Sequence, residues 1–124
     1  MSGTASNHDE HDAIARTVQH YIDGARSGKS ADMKPAFHAD AWIFGYGATG
    51  LLASPIQELF NRVDAGQPAP DMTADIARID VGDTVATVRL ELDKWTGRRF
   101  TDFFTLLKVD GEWKIMNKVF HLHG

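Results

Sequence analysis

Apolar residues near the start of the chain recur at helical spacing. Their positions follow i, i+4, i+7, i+8 and i+11: Ile14, Val18, Tyr21, Ile22 and Ala25. This spacing places all of them on one face of a helix, which we expect to begin near Asp9 and to end at Gly28. A short second helix is predicted from Ser30, with Met33 on its buried side.

The rest of the chain predicts strands and one more helix. The segment from Asp40 to Tyr46 has the composition of a strand, and Ser54 followed by Pro55 is typical of a helix N-terminus. Beyond Met72 the sequence predicts four strands joined by tight turns, near 72–81, 84–95, 99–109 and 113–122. Helices followed by an antiparallel meander predict an α+β fold, in which the helices cover one face of a curved sheet.

The last two predicted strands are apolar on both faces. A type I turn with a bulge at Gly111 would keep odd-numbered residues opposite odd-numbered residues across this hairpin. Helices can cover only one face, so we expect the other face to contact a second copy of the chain. We assign this homodimer interface to the even-numbered face, at Phe104, Leu106, Met116 and Phe120. Asp102 falls on the same face, opposite Lys118 or its neighbour across the hairpin, and we expect the two to form an ion pair at the interface.

Composition and charge exclude several classes of function. The 124 residues are 43% hydrophobic and 24% charged, which suits one globular domain. Thirteen Lys and Arg residues against seventeen Asp and Glu residues give a net charge of −4, which argues against a nucleic-acid partner. The chain has no cysteine and no apolar run long enough to span a bilayer. We expect a disordered tail over residues 1–8, one domain over 9–124, a cytoplasmic location and no membrane partner.

Two runs of sequence resemble a known superfamily. The run HYIDGARSGKSADMKPAFHADA at 20–41 resembles the opening of nuclear transport factor 2-like (NTF2-like) proteins, which include ketosteroid isomerases, scytalone dehydratases and SnoaL-like polyketide cyclases. The run FTDFFTLLKVDGEWKIMNKVFH at 100–121 resembles the branch described as "Putative lumazine-binding". The resemblance covers nearly all of 12–122. It implies a cone-shaped fold with a strongly curved, mostly antiparallel sheet around three helices, a pocket at the wide end and dimerisation through the sheet.

The same resemblance bears on catalysis. Tyr21 matches the position at which the similar ketosteroid isomerases have an oxyanion-binding tyrosine. Where those enzymes have a general-base aspartate this chain has Gly45, and where they have a second carboxylic acid it has Thr105. Proton abstraction next to a carbonyl needs a base within hydrogen-bond reach, so ketosteroid isomerisation is disfavoured.

Aromatic and polar residues predict a ligand pocket, and the sequence leaves open which face of the sheet lines it. We assign to it Tyr21, Trp42, Phe44, Phe60, Phe103, Thr105, Asn117 and His121. Trp42, Phe60 and Phe103 would form a flat slot for an aromatic ligand. His121 suits acid–base chemistry near neutral pH, and Tyr21 suits stabilisation of an oxyanion. In the alternative interpretation His121 and Asn117 only pair buried backbone groups, and Tyr21 is only a core residue.

Two functional hypotheses remain open from the sequence. The first is a homodimeric protein that binds a small apolar or aromatic ligand and performs no chemistry. The second is a cofactor-free lyase or isomerase, of the dehydratase or cyclase type, with Tyr21 and His121 as acid and base. A domain that only dimerises or recruits a partner is a third possibility. No nucleotide-binding or hydrolase motif is present, and the pair His8 and His11 lacks a third ligand, so we expect no cofactor and no metal.

Overall fold

The computed structural model describes residues 7–124, and its three helices and six strands follow the predicted order. The helices are α1 (Asn7–Ser27), α2 (Ser30–Met33) and α3 (Gln57–Ala65), with a 3₁₀ turn at Lys34–Ala36. The strands are β1 (Phe37–Gly47), β2 (Gly50–Pro55), β3 (Thr73–Gly82), β4 (Val85–Trp95), β5 (Arg98–Val109) and β6 (Glu112–Leu122). Residues 1–6 of the predicted tail lie outside the described residues, and its last two residues begin α1.

All six strands form one curled sheet in the order β2-β1-β6-β5-β4-β3. The pairing of β1 with β6 is parallel, and the other four pairings are antiparallel. The predicted α+β class is therefore confirmed. Strand β2 occupies one edge, where Ser54 and Pro55 pair with Ile43 and Trp42. This pairing keeps the Ser-Pro dipeptide extended, so the prediction that α3 begins at Ser54 is wrong and the helix begins at Gln57.

Helix α1 packs its apolar stripe against one face of the sheet, which we call the inner face. All five residues of the predicted stripe are at most 4% exposed. The Tyr21 ring lies edge-on to Phe104 of β5, with centroids 5.2 Å apart, and Thr17 donates a hydrogen bond to the Trp113 carbonyl of β6. The opposite side of the sheet, the outer face, leaves large apolar side chains exposed: Trp42, Tyr46, Phe103 and Val119.

The β5–β6 hairpin has a different geometry from the one predicted. Asp110 and Gly111 both have positive φ angles, 51° and 82°, which is the signature of a two-residue type I′ turn. The extra residue lies further along β6, because Thr105 pairs with Asn117 and Leu106 pairs with Ile115, which leaves Met116 as a bulge. Beyond this bulge, odd-numbered residues of β5 pair with odd-numbered residues of β6, as predicted. The predicted type I turn with a bulge at Gly111 is wrong.

The prediction that Phe104 and Leu106 form a dimer interface is also wrong. Their side chains are 1% and 2% exposed and belong to the core on the inner face. Phe120 packs on the same inner face, and Met116 is the half-buried bulge residue. Residue parity shows which side chains share a face, but the side that α1 covers depends on the curl of the whole sheet. The even-numbered face of β5 is the covered one.

No helix within residues 7–124 combines the length and the apolar character that a membrane-crossing helix needs. The cytoplasmic location stays a prediction.

Candidate ligand-binding site

A cavity of about 340 Å³ lies between the inner face of the sheet and the helices α1 and α3. Its apolar walls come from both layers: Ala25, Ile43, Leu52, Leu59, Val63, Phe100, Phe120 and Leu122. Arg62 and Arg98, which are exposed, and the loop residue Thr49 also line it. This mixture of apolar walls and a few polar groups is typical of small-molecule sites.

A larger depression of about 660 Å³ lies on the surface beside α1 and α2. It is an open groove, and its charged side chains already have partners. Arg26 donates to the Met72 carbonyl, and Asp32 accepts a hydrogen bond from Ser27. The smaller cavity is therefore the better candidate for a ligand site, since it is more enclosed and reaches buried ionisable groups.

Lys118 is the one lysine among residues 7–124 that lines the cavity, and its side chain is only 3% exposed. Strand β6 carries it inward from between Asn117 and Val119, which face the other way. Its Nζ lies over three aromatic rings, 4.9 Å from the centroid of Tyr21, 5.2 Å from Trp95 and 5.5 Å from Phe120. An ammonium group in this position is attracted to the negative faces of the rings.

Asp102 and Tyr21 lie behind Lys118, in the core. Asp102 Oδ2 is 4.0 Å from Lys118 Nζ and accepts a hydrogen bond of 2.8 Å from the Tyr21 hydroxyl. Both residues are 0% exposed, and Asp102 Oδ1 has no hydrogen-bond partner in the described part of the chain. Neither side chain lines the cavity. They can act on a ligand only through Lys118.

Burial shifts the pKa values of these three groups toward their neutral forms. It lowers the pKa of the Lys118 amine, although the charge of Asp102 opposes the shift. It raises the pKa of the Asp102 carboxyl, against the attraction of Lys118 and the hydrogen bond from Tyr21. The pKa of the Tyr21 phenol rises because of burial and the adjacent Asp102. The chain thus holds an amine with a lowered pKa at an apolar cavity, an environment that favours a nucleophilic or basic lysine.

The surroundings of Gly45 explain why this chain has no counterpart of the general-base aspartate of the ketosteroid isomerases. It lies on the inner face of β1, directly beside Phe120 of β6. A Cβ atom at this position would be 2.5 Å from Cδ1 of Phe120 and 2.6 Å from its carbonyl oxygen. The space that an aspartate at position 45 would need is therefore filled by the Phe120 ring and backbone.

The residues assigned to the pocket from the sequence do not line this cavity. Six of them share the outer face of β1, β5 and β6: Trp42, Phe44, Phe103, Thr105, Asn117 and His121. Tyr21 and Phe60 lie on the inner side, as core residues that both pack edge-on against Phe37. The structure corrects the assignment, because the face that α1 leaves open carries the even-numbered residues of β1 and the odd-numbered residues of β5 and of β6 beyond Met116.

The predicted catalytic pair is separated by the sheet. Tyr21 lies under the inner face, while His121 is exposed on the outer face, with its ring 4.6 Å from that of His123. His123 is within 2.9 Å of Thr101 Oγ1, and Thr101 donates a hydrogen bond to Glu91. The two predicted catalytic residues therefore cannot act on one substrate group from the same cavity.

Sequence reasoning missed Lys118, Trp95, Phe100 and Phe120 as cavity residues. The pattern did place Lys118 near Asp102 on a shared face, as an ion pair at an interface. A lysine and an aspartate on a strand face otherwise made of large apolar residues are the signal from which a buried site could have been inferred, since isolated charges are rarely buried.

The comparisons with known proteins agree with this fold. The family model described as "Putative lumazine-binding" matches residues 9–121. The chain belongs to this family. Aldolase FrzH from a Cladobotryum species is 31% identical over 113 residues, which cover 90% of each chain.

Two solved structures show that this family member has the NTF2-like fold. An NTF2-like protein of unknown function from Shewanella baltica OS155 superposes with a TM-score of 0.94 at 40% identity, covering 98% of this chain and 99% of that one. One from Methylobacillus flagellatus KT gives a TM-score of 0.92 at 42% identity, covering 100% of this chain and 99% of that one. The fold and superfamily predicted from the resemblance are confirmed.

Proposed function

We propose that this member of the lumazine-binding family binds a small, largely apolar or aromatic molecule in the inner cavity. The observation that carries the proposal is the buried Lys118 amine at a cavity whose walls are largely apolar. A buried lysine is costly unless something compensates for its desolvation, and its partner Asp102 keeps one oxygen unpaired among the residues that the structure describes. The cavity volume lies within the range of ligand pockets.

The bound molecule should carry an oxygen acceptor. The Phe100 and Phe120 rings and Trp95 give the cavity an aromatic surface, and the amine of Lys118 offers N–H donors at its polar end. A planar ring system with a carbonyl or hydroxyl group matches both features. The family description supports this class of ligand, because lumazine is itself a planar ring with carbonyl groups.

Calorimetric titration with naphthalene-2-methanol tests the proposed cavity. The compound has a flat aromatic body and one hydroxyl, and we expect it to bind the wild-type chain. Val63→Phe should abolish the heat of binding because Val63 lines the cavity, whereas Val85→Phe, at an exposed position that does not line it, should leave binding intact. Equal loss in both variants, or no binding to the wild type, would contradict the proposal.

We further propose that the chain is a homodimer through the outer face of the sheet. Trp42, Phe103 and Val119 are 42%, 51% and 48% exposed, and their strands β1, β5 and β6 are adjacent. Contiguous large apolar side chains of this kind mark an interaction surface. A second copy of the chain covers this surface. The outer-face interface takes the place of the interface on the even-numbered face that we expected from the sequence.

A cofactor-free lyase is the second candidate function, and Lys118 is the observation that favours it. The enzyme hypothesis from the sequence relied on Tyr21 and His121, which lie on opposite sides of the sheet. Lys118 supplies a reactive group in the cavity itself. The similarity to a protein named as an aldolase supports this candidate, since aldolases form or cleave carbon–carbon bonds next to carbonyl groups.

A further inference from the structure

Lys118 differs from the other nearby lysines in what its amine contacts. On the same strand Lys114 donates to the Pro35 carbonyl, and at the end of β5 Lys108 donates to both carboxylate oxygens of Glu10. Within residues 7–124 Lys118 makes no such short hydrogen bond; its contacts there are the 4.0 Å approach to Asp102 and the faces of three rings. Its amine therefore keeps donor and lone-pair capacity for a ligand in the cavity.

We propose that Lys118 forms an imine with the carbonyl group of an aldehyde or ketone that has an aromatic or other apolar body. The inference rests on the proposed function, because the compound must first enter the inner cavity. Three features of the geometry carry it: the amine lines the cavity, the Lys118 side chain is only 3% exposed, and a carboxylate oxygen lies 4.0 Å from the amine.

The reaction balances without a cofactor. The lone pair of the deprotonated Nζ attacks the carbonyl carbon, and the C–N bond forms as the C=O π bond breaks onto oxygen. One proton then moves from the nitrogen to that oxygen to give a carbinolamine. Loss of the second N–H proton and of the hydroxyl as water gives the imine. Burial lowers the pKa of Lys118, which increases the deprotonated fraction that the first step needs.

Asp102 and Tyr21 act as positioning residues in this scheme. Asp102 holds the amine at the end of the cavity and, with its raised pKa, can take the proton that the ammonium releases. Tyr21 donates to Oδ2 of Asp102 and so fixes that carboxylate. Once the amine is neutral or bound in an imine, the Asp102 carboxyl no longer faces a full positive charge.

Reduction with borohydride tests the imine directly. The wild-type chain is incubated at neutral pH with 2-naphthaldehyde, reduced, and mapped by mass spectrometry after digestion with an endoprotease other than trypsin. We expect one naphthylmethyl group per chain, on the peptide that contains Lys118. The adduct should be lost in Lys118→Met and kept in Lys94→Met, which removes an exposed lysine near the cavity-lining Trp95.

One further measurement separates the possible failures. Naphthalene-2-methanol has the same ring system without a carbonyl, so its binding reports on the cavity alone. If the alcohol binds but the aldehyde labels only exposed lysines, the imine proposal is overturned and the binding function stands. If neither compound binds, both proposals fail. Should Lys118→Met not fold, the site of the adduct in the wild-type chain still decides the question.

Discussion

Lys118 Nζ lies 4.0 Å from Asp102 Oδ2 in the interior of the protein, with the two side chains 3% and 0% exposed. The pair joins neighbouring strands, since Lys118 is on β6 and Asp102 on β5. Removing two charges from water costs free energy that their attraction repays only in part. A charge pair of this kind is weak evidence for stability and stronger evidence for a functional site.

Removing one member of this pair should be more harmful than removing both. We expect Lys118→Met to lower the free energy of unfolding by about 3–5 kcal/mol, because it leaves the Asp102 carboxylate buried without its cation. The double variant Lys118→Met with Asp102→Asn should recover part of that loss. Urea denaturation measures the free energy of unfolding of the single and the double variant. Lys114→Met, on the same strand but partly exposed, is the matched control and should cost much less.

Asp102→Asn alone completes the cycle. A double variant whose loss equals the sum of the losses in Lys118→Met and Asp102→Asn would show that the charges do not interact.

The hydroxyl of Tyr21 should make stability depend on pH in the alkaline range. The folded pKa of this phenol is raised, so the folded state keeps a proton that the unfolded chain releases above about pH 10. Stability from this group is complete below that pH and declines as the pH rises through it. Denaturation curves at increasing alkaline pH should show a smaller decline for Tyr21→Phe than for the wild type. Tyr46→Phe, exposed on the outer face, is the control, and an equal decline in wild type and Tyr21→Phe would refute the assignment.

Gly45 should tolerate no side chain, because Phe120 fills the space beside it. Gly45→Ala places a Cβ 2.5 Å from the Phe120 ring and should destabilise the fold by about 1–3 kcal/mol. Gly47→Ala, two residues along the same strand, has its nearest neighbour at 4.0 Å and is the matched control. The midpoint temperatures of thermal unfolding compare the stabilities of the two variants. A Gly45→Ala variant as stable as the control would mean that Phe120 packs elsewhere.

The outer face should hold two chains together. Val119→Glu places a charge among the exposed apolar side chains of that face, opposite Phe44 and Phe103, and should convert a dimer to a monomer, because burying an unpaired carboxylate is costly. Light scattering gives the mass in solution. Ala31→Glu, an exposed position on α2, should leave the mass unchanged. A monomeric wild type would contradict the proposed dimer.

The sequence allowed the fold to be predicted more fully than the site. The helical stripe around Tyr21 and the alternation in the last strands depend on local spacing, and both are present in the structure. Which face of β5 is covered depends on how the whole sheet curls around α1, so the parity of Phe103 and Phe104 did not reveal it. The Met116 bulge shifts the register by one residue, and a single strand gives no sign of it.

The surroundings of Lys118 depend on residues distant in sequence. Tyr21 comes from α1 and Trp95 from the end of β4, and only the closed fold brings their rings to the same amine. The pairing of Lys118 with Asp102 could be inferred from the hairpin alone. The cavity in front of that pair could not, because α3 and the loop after β1 supply part of its wall.

The three indole N–H signals in a two-dimensional ¹⁵N–¹H NMR spectrum give the most direct test of where a ligand binds. Trp95 lines the inner cavity, Trp42 lies on the outer face, and the Trp113 indole donates to Glu10 away from both. Variants that replace Trp42 or Trp95 with phenylalanine assign the signals. On titration with naphthalene-2-methanol we predict that the Trp95 signal shifts and the Trp42 signal does not. A shift of Trp42 alone would place the ligand on the outer face and contradict the inner-cavity site.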